Sequence, residues 1–281
     1  MLEDYAIYRT VIEQVLREEE QLPSLPTITM KIRAALTQPN TTNNQLAKLI
    51  KADPSLTALL LKYACSPLYR TRVSPKSLTE VIAHLGWETV DRIVMSHSIK
   101  SLFTMQSPQL KKLFHIAWER QKLKSAISYT IAKQLSYKPL EEVLIASLIS
   151  DLGTLAVLSA FKSKKDIPSD KTYYTLCREY SKSLGIVLLK KWGVNEHYIE
   201  TIRYSGNWQG DTGDGFTLID LINLGLFSAI RILSPQVELP AINSLVAFRK
   251  LPEELTAVTS NNELQLVNQY KQEISLIVQS F

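Results

Sequence analysis

The stretch from Val143 to Phe161 constrains this chain more than any other. It is apolar enough to span a bilayer on length alone, yet it carries Asp151 at its centre. A charged carboxylate there costs roughly 2.5–3.5 kcal/mol even on a lenient insertion scale. Ser147, Ser150, Gly153 and Thr154 dilute its apolar character further. The segment reads as the central buried helix of a globule, bounded near Pro139 and by the run Lys162-Ser163-Lys164-Lys165, and no membrane partner is expected.

Helix punctuation recurs along the rest of the chain. Leu2 to Glu20 carries Tyr5, Tyr8, Ile12, Val15 and Leu16 at helical spacing and ends in Glu18-Glu19-Glu20, before Leu22-Pro23-Ser24-Leu25-Pro26 breaks it. Ile28, Ile32 and Leu36 restart a helical stripe that stops before Pro39. Thr42 with Gln45 forms a capping box, and Ser77 with Glu80 forms another. Asp53-Pro54 opens a helix that runs to Ser66-Pro67, because aspartate caps free amides and proline fits the first helical position. Long helices are expected over Pro108–Gln134 and from Pro139 to about Phe161. Shorter ones are expected over Tyr173–Lys182, Leu184–Lys191, Asn195–Tyr204, Leu218–Leu233 and Glu263–Gln279. No stretch alternates at period two for long, and only 9 glycines and 12 prolines interrupt the chain. The fold class is therefore all-α, as two helical lobes joined near Met105–Pro108.

At this point the residues resemble a known family. Leu22-Pro23-Ser24-Leu25-Pro26, Ile50-Lys51-Ala52-Asp53-Pro54-Ser55-Leu56 and Leu59-Leu60-Leu61-Lys62-Tyr63-Ala64 look like the N-terminal lobe of HDOD domains. Ser66 and Tyr69, Ser77-Leu78 and Ala83-His84-Leu85-Gly86 follow in order, with Cys65 where the family usually has Asn. The second lobe is matched by Trp118, by Leu148-Ile149-Ser150-Asp151-Leu152-Gly153, and by Leu184-Gly185-x-x-Leu188-Leu189-x-x-Trp192. The likeness covers about residues 20–210. It implies an N-terminal helix over 1–21, an HDOD N-terminal lobe over 22–107 and an HD-like helical bundle over 108–215. Residues 216–281 are then expected to be a helical extension packing on the core.

HDOD domains are related to the HD phosphohydrolases, in which histidines and an adjacent His-Asp pair hold divalent metals that activate water. Those ligands are neutral imidazoles and carboxylates at about 2.0–2.2 Å. Carried onto this chain, the His-Asp pair falls on Ser150-Asp151. The first helix ligand, shortly after Trp118, falls on Arg120 or Gln121. The later positions fall near Ser181 and on Tyr204-Ser205. Only Asp151 keeps a ligating group, so the resemblance implies a degenerate metal pocket, with no catalytic residue, no metal and no cofactor. Arg120 is expected to pair with Asp151 across it.

The other candidate residues are weaker. His84, His97, His115 and His197 share no ligand spacing. Gly210-Asp211-Thr212-Gly213-Asp214-Gly215 lacks the lysine of a P-loop and the acids of an EF-hand, and reads as a flexible loop. Lysines at 111–112, 162–165 and 190–191 read as solvated faces. The net charge of +5 with no aromatic interleaving leaves no clear nucleic-acid signature. Cys65 and Cys177 read as buried thiols in a reducing, cytoplasmic setting, and the acidic start Met1-Leu2-Glu3-Asp4 does not resemble a signal peptide.

The expected function is that of a bacterial regulatory module that transduces a signal by binding a partner protein at a surface or interlobe groove. With no receiver domain in the sequence, input would come from a separate protein or through the extension after 216. Two alternatives stand beside it. One is residual metal-dependent hydrolysis of a nucleotide or phosphoester. The other is a nucleotide-binding sensor that keeps the pocket without the chemistry.

Overall fold

The computed structural model describes residues 2–18, 22–66, 68–69, 75–105, 107–164 and 166–281. Glu19 and Glu20 of the acidic run, Pro67 and Lys165 lie outside the described residues, as does Gln106 within the expected junction. The helices are α1 (Leu2–Arg17), α2 (Thr27–Leu36), α3 (Asn43–Ile50), α4 (Pro54–Ala64), α5 (Leu78–Leu85), α6 (Trp87–Leu102), α7 (Pro108–Gln134) and α8 (Leu140–Ile149). They continue as α9 (Leu152–Ser159), α10 (Asp170–Lys191), α11 (Glu196–Tyr204), α12 (Leu218–Leu233), α13 (Val246–Arg249), α14 (Gln265–Gln269) and α15 (Lys271–Gln279). The described residues contain no strand, only an isolated bridge between Val258 and Leu264. The fold is all-α.

The chain divides into two compact units. Residues 1–24 and 103–274 form one, and residues 25–102 and 275–281 form the other. In the second unit the caps at Thr42 and Asp53 do what their sequences predict, and the expected capping box at Ser77 forms only by half. Thr42 accepts from the Gln45 amide while the Gln45 side chain accepts from the Thr42 amide. Asp53 accepts from the Leu56 amide at 3.0 Å, with Pro54 in the first turn. Ser77 accepts from the Glu80 amide, and Glu80 reaches back to the amide of Lys76 instead of Ser77. These caps orient α3, α4 and α5 so that Leu46, Ile50, Leu60, Val81 and Ile82 close a core with Ile32 and Ile93. Arg92 is fully buried there, with its guanidinium 5.4–5.9 Å from the rings of Tyr63, Tyr69 and Phe281. Cys65, expected buried, is exposed, because it sits at the C-cap of α4 where the chain leaves the helix; Cys177 is buried.

In the first unit, α7 lies against α8 and α12, and α9 against α10. Trp192 Nε1 donates to the Pro23 carbonyl and Lys191 Nζ to the Leu22 carbonyl, so the Leu22-Pro23 segment is pinned to the end of α10. Three expectations about helix boundaries are corrected, one being Glu263–Gln279, which is two helices, α14 and α15, with Tyr270 between them at φ −101° and ψ 20°. The segment 139–161 is two helices, broken at Ser150-Asp151, because Asp151 takes φ −123° and ψ 16° and its side chain is drawn towards α7. Tyr173–Lys191 is one unbroken helix within α10, because Gly185 serves close packing against Gly153 and not termination. Leu140–Ser159 is the one described stretch long and apolar enough to cross a membrane, and 83% of its apolar window is buried inside the protein.

Candidate functional site

The site is built on the inward face of α7, where Ala117, Gln121, Lys124 and Ser128 recur at helical spacing and are buried. Opposite them, the α8–α9 break presents Ser150 and Asp151. Asp151 occupies the N-cap position of α9 yet makes no side-chain cap. Its Oδ2 instead accepts from Arg120 Nε at 3.0 Å and Nη2 at 2.6 Å. The expected pairing of Arg120 with Asp151 is thus present, and the carboxylate pushes the guanidinium further up from its already high value. Gln121 Nε2 donates to the Asp151 carbonyl at 3.1 Å, which also accepts from the Thr154 hydroxyl at 2.8 Å.

One turn beyond Gln121, Lys124 is wholly buried and its ammonium donates to Ser150 Oγ at 2.8 Å. Ser150 in turn donates to the Ser147 carbonyl at 3.0 Å. Burial pushes the Lys124 ammonium down to about 8, with Arg120 acting in the same direction and Asp151 opposing both. Sequence reading passed over Lys124, although its register with Ala117, Gln121 and Ser128 placed it on the inner face.

Ser150, Asp151, Gly153, Ser181, Lys182, Ile202, Ser205 and Leu226 line a cleft of about 100 Å³. The fold therefore brings Ser150, Asp151, Ser181 and Ser205 to one place, with Arg120 and Gln121 behind Asp151. Tyr204 is not among the lining residues; it is 41% exposed at the end of α11. On the other side of Arg120, a hollow of about 20 Å³ is walled by Leu113, Thr154, Tyr173 and Cys177. Burial pushes the Cys177 thiol up to about 12, which leaves it unreactive at neutral pH.

The histidines lie apart from this cluster. His84 meets the Tyr69 carbonyl, His97 lies 3.7 Å from Asp53, His115 lies 3.8 Å from Glu119 and His197 lies 3.3 Å from Glu142. Among the described residues, no three His, Cys, Asp or Glu side chains converge as a metal-binding group. The 206–215 loop is tied down, with Lys250 Nζ donating to Thr212 Oγ1, the Gly215 carbonyl and Asp220 Oδ2.

With this geometry in view, the likeness to known proteins is informative. The HDOD domain model matches residues 22–208. The chain belongs to the HDOD domain family. A Shewanella amazonensis SB2B structure, whose name carries a proposed metal-dependent phosphohydrolase activity, superposes with a TM-score of 0.76 at 18% identity over 100% of this chain and 99% of that one. A Geobacter sulfurreducens HDOD domain protein of unknown function superposes with a TM-score of 0.68 at 19% identity, over 96% of this chain and 97% of that one. At these identities the two structures establish the fold. An uncharacterized Treponema pallidum (strain Nichols) protein is 20% identical over 88% of this chain. The chain spans about half the length of that curated relative, at 49%.

Proposed function

We propose that this HDOD protein is a non-catalytic signal-transduction module that binds a regulatory partner protein, and that its HD-type centre no longer holds metal. The observation that carries the reading is Lys124, whose ammonium sits on Ser150 beside the Arg120–Asp151 pair. A divalent ion needs lone pairs converging on it from imidazoles, carboxylates or thiolates. The cluster offers one carboxylate, already accepting two hydrogen bonds from Arg120, and faces it with two cations. These residues do not fit a divalent metal, because cations at such short range repel it. Without a metal there is no group to lower the pKa of water for attack on a phosphoester. Partner binding is the reading we adopt for such a centre, because the family resemblance implies company with receiver and cyclic-dinucleotide signalling modules.

The test is metal content of the purified protein, followed by manganese and nickel titration read by thermal denaturation. No bound metal and an unchanged midpoint are expected, since a ligand without affinity for the folded state cannot stabilise it. Stoichiometric metal that disappears in Asp151→Ala would overturn the reading in favour of metal-dependent hydrolysis.

A further inference from the structure

We propose that the groove between α2 and α3 is a docking surface for an acidic segment of a partner protein. The inference deepens the partner-binding reading above and rests on it.

Charge is distributed unevenly along the chain. The unit formed by residues 25–102 and 275–281 holds ten lysines and arginines against four aspartates and glutamates. It therefore carries +6 in a chain whose total is +5, and the other unit is left at −1. Such asymmetry points to a partner of opposite sign, because a surface of one sign steers its complement towards it. Three of the four acids are already engaged within the unit. Asp91 holds Arg33 at 3.0 Å, Asp53 caps α4 and Glu80 accepts from the Lys76 amide. The lysines are not so engaged. Lys31, Lys48, Lys51, Lys62, Lys76 and Lys100 are exposed, and none forms an ion pair among the described residues.

Shape then singles out one place. Ala35 and Gln38 on α2, Asn40 in the connecting turn, and Gln45, Lys48 and Leu49 on α3 line a groove of about 440 Å³. No carboxylate lines it. Lys48 stands in its wall, and Lys31 lies four residues before Ala35 and seven before Gln38, on the same face of α2. Ala35 and Leu49, half-buried against the core, give the groove an apolar floor. The carboxamides of Gln38 and Asn40 are exposed and make no hydrogen bond among the described residues, which leaves donors and acceptors for a peptide main chain. Gln45 commits its Oε1 to the Thr42 cap and keeps its amide hydrogens.

A nucleic acid fits this groove less well. No aromatic side chain lines it on which a base could stack. The guanidinium fork suits phosphate, yet Arg33 is bound to Asp91 and Arg92 is buried. Lysines act as point charges, to which single carboxylates suffice. The occupant is therefore an acidic peptide segment that also carries aliphatic side chains for the Ala35–Leu49 floor.

The test follows the fluorescence anisotropy of a labelled peptide of glutamates interspersed with leucines, titrated with the full chain. Parallel probes are the same peptide with lysine for glutamate, and a single-stranded DNA. Saturable binding of the acidic peptide, weakening as salt is raised, is expected for the wild type. Affinity should fall about tenfold in the pair Lys31→Glu and Lys48→Glu. The pair Lys76→Glu and Lys100→Glu makes the same change in net charge outside the groove lining and should cost no more than about twofold. Thermal midpoints verify that the variants fold, and Lys31→Gln with Lys48→Gln replaces the first pair if it does not. Equal losses in the two pairs would show that net charge acts without the groove, and overturn the proposal. Tighter binding of the DNA overturns the choice of a protein partner, and no binding by the wild type overturns the proposal outright. The underlying reading fails by a different sign, stoichiometric metal in the titration above, so the two failures are distinguishable.

Discussion

Lys124 shows how much one side chain changes the character of a pocket. At neutral pH its ammonium is charged both in the folded chain, where burial holds it at about 8, and in the unfolded chain, where its ordinary value is 10.5. The folded state therefore bears the full desolvation penalty below pH 8. Between pH 8 and 10.5 the folded chain gives up the proton and the unfolded chain keeps it, so stability rises with pH in that window. Arg120 on the same helix deepens the shift, and Asp151 from the α8–α9 break opposes it. Cys177 and Tyr173 on α10, both pushed up by burial, contribute slopes of opposite sign above about pH 9. Comparing wild type with Lys124→Met cancels those slopes. The variant is expected to be as stable as wild type or more so at pH 7, with any advantage shrinking by up to about 3 kcal/mol between pH 8 and 10.5. Urea midpoints across that range check this, and a difference that does not change with pH would mean that Lys124 keeps an ordinary value.

At the scale of elements, the site depends on how closely α9 and α10 approach. A Cβ on Gly153 would stand 1.7 Å from the Ser181 carbonyl oxygen and 2.5 Å from its carbon, both backbone atoms that cannot swing aside. A Cβ on Gly185 would meet a methyl of Ile202 at 3.1 Å and the Gly153 amide nitrogen at 3.2 Å, contacts that small shifts relieve. Gly153→Ala is expected to cost about 3 kcal/mol or more, and Gly185→Ala closer to 1 kcal/mol, read from denaturation midpoints. Equal costs would mean that the helices separate freely. The caps of α3, α4 and α5 were legible because Thr42, Asp53-Pro54 and Ser77 act through local hydrogen bonds. The break at Ser150-Asp151 was not, because neither residue is a helix breaker and the apolar run continues on both sides. The pull of Arg120, distant in sequence, decides it. Arg120 and Asp151 were legible as partners through the family motif, whereas Lys124 was hidden by the ordinary rule that lysines face water. Of the expected pair Tyr204-Ser205, Ser205, just beyond the helix end, lines the cleft and Tyr204 does not.

At the scale of the whole molecule, a contact pattern invisible to local reading appears. Residues 275–281 belong with residues 25–102, so the second unit is assembled from segments far apart in sequence. Helical periodicity places residues on a face of their own helix but carries no information about which distant helix covers that face. In this unit Ile277 is fully buried, Phe281 packs its ring 5.6 Å from the Arg92 guanidinium, and Leu276 and Ser280 share a groove with Lys62 and Cys65. Removing side-chain volume at Ile277 should therefore weaken the unit formed by residues 25–102 while leaving α7–α12 intact. Ile277→Ala is expected to cost about 2–4 kcal/mol within that unit, as a buried large-to-small change does. Hydrogen exchange measured by peptide would then accelerate across α3–α6 and stay at wild-type rates across α7, α9 and α12. Acceleration spread evenly over both sets of helices would show that the two units open as a single cooperative body.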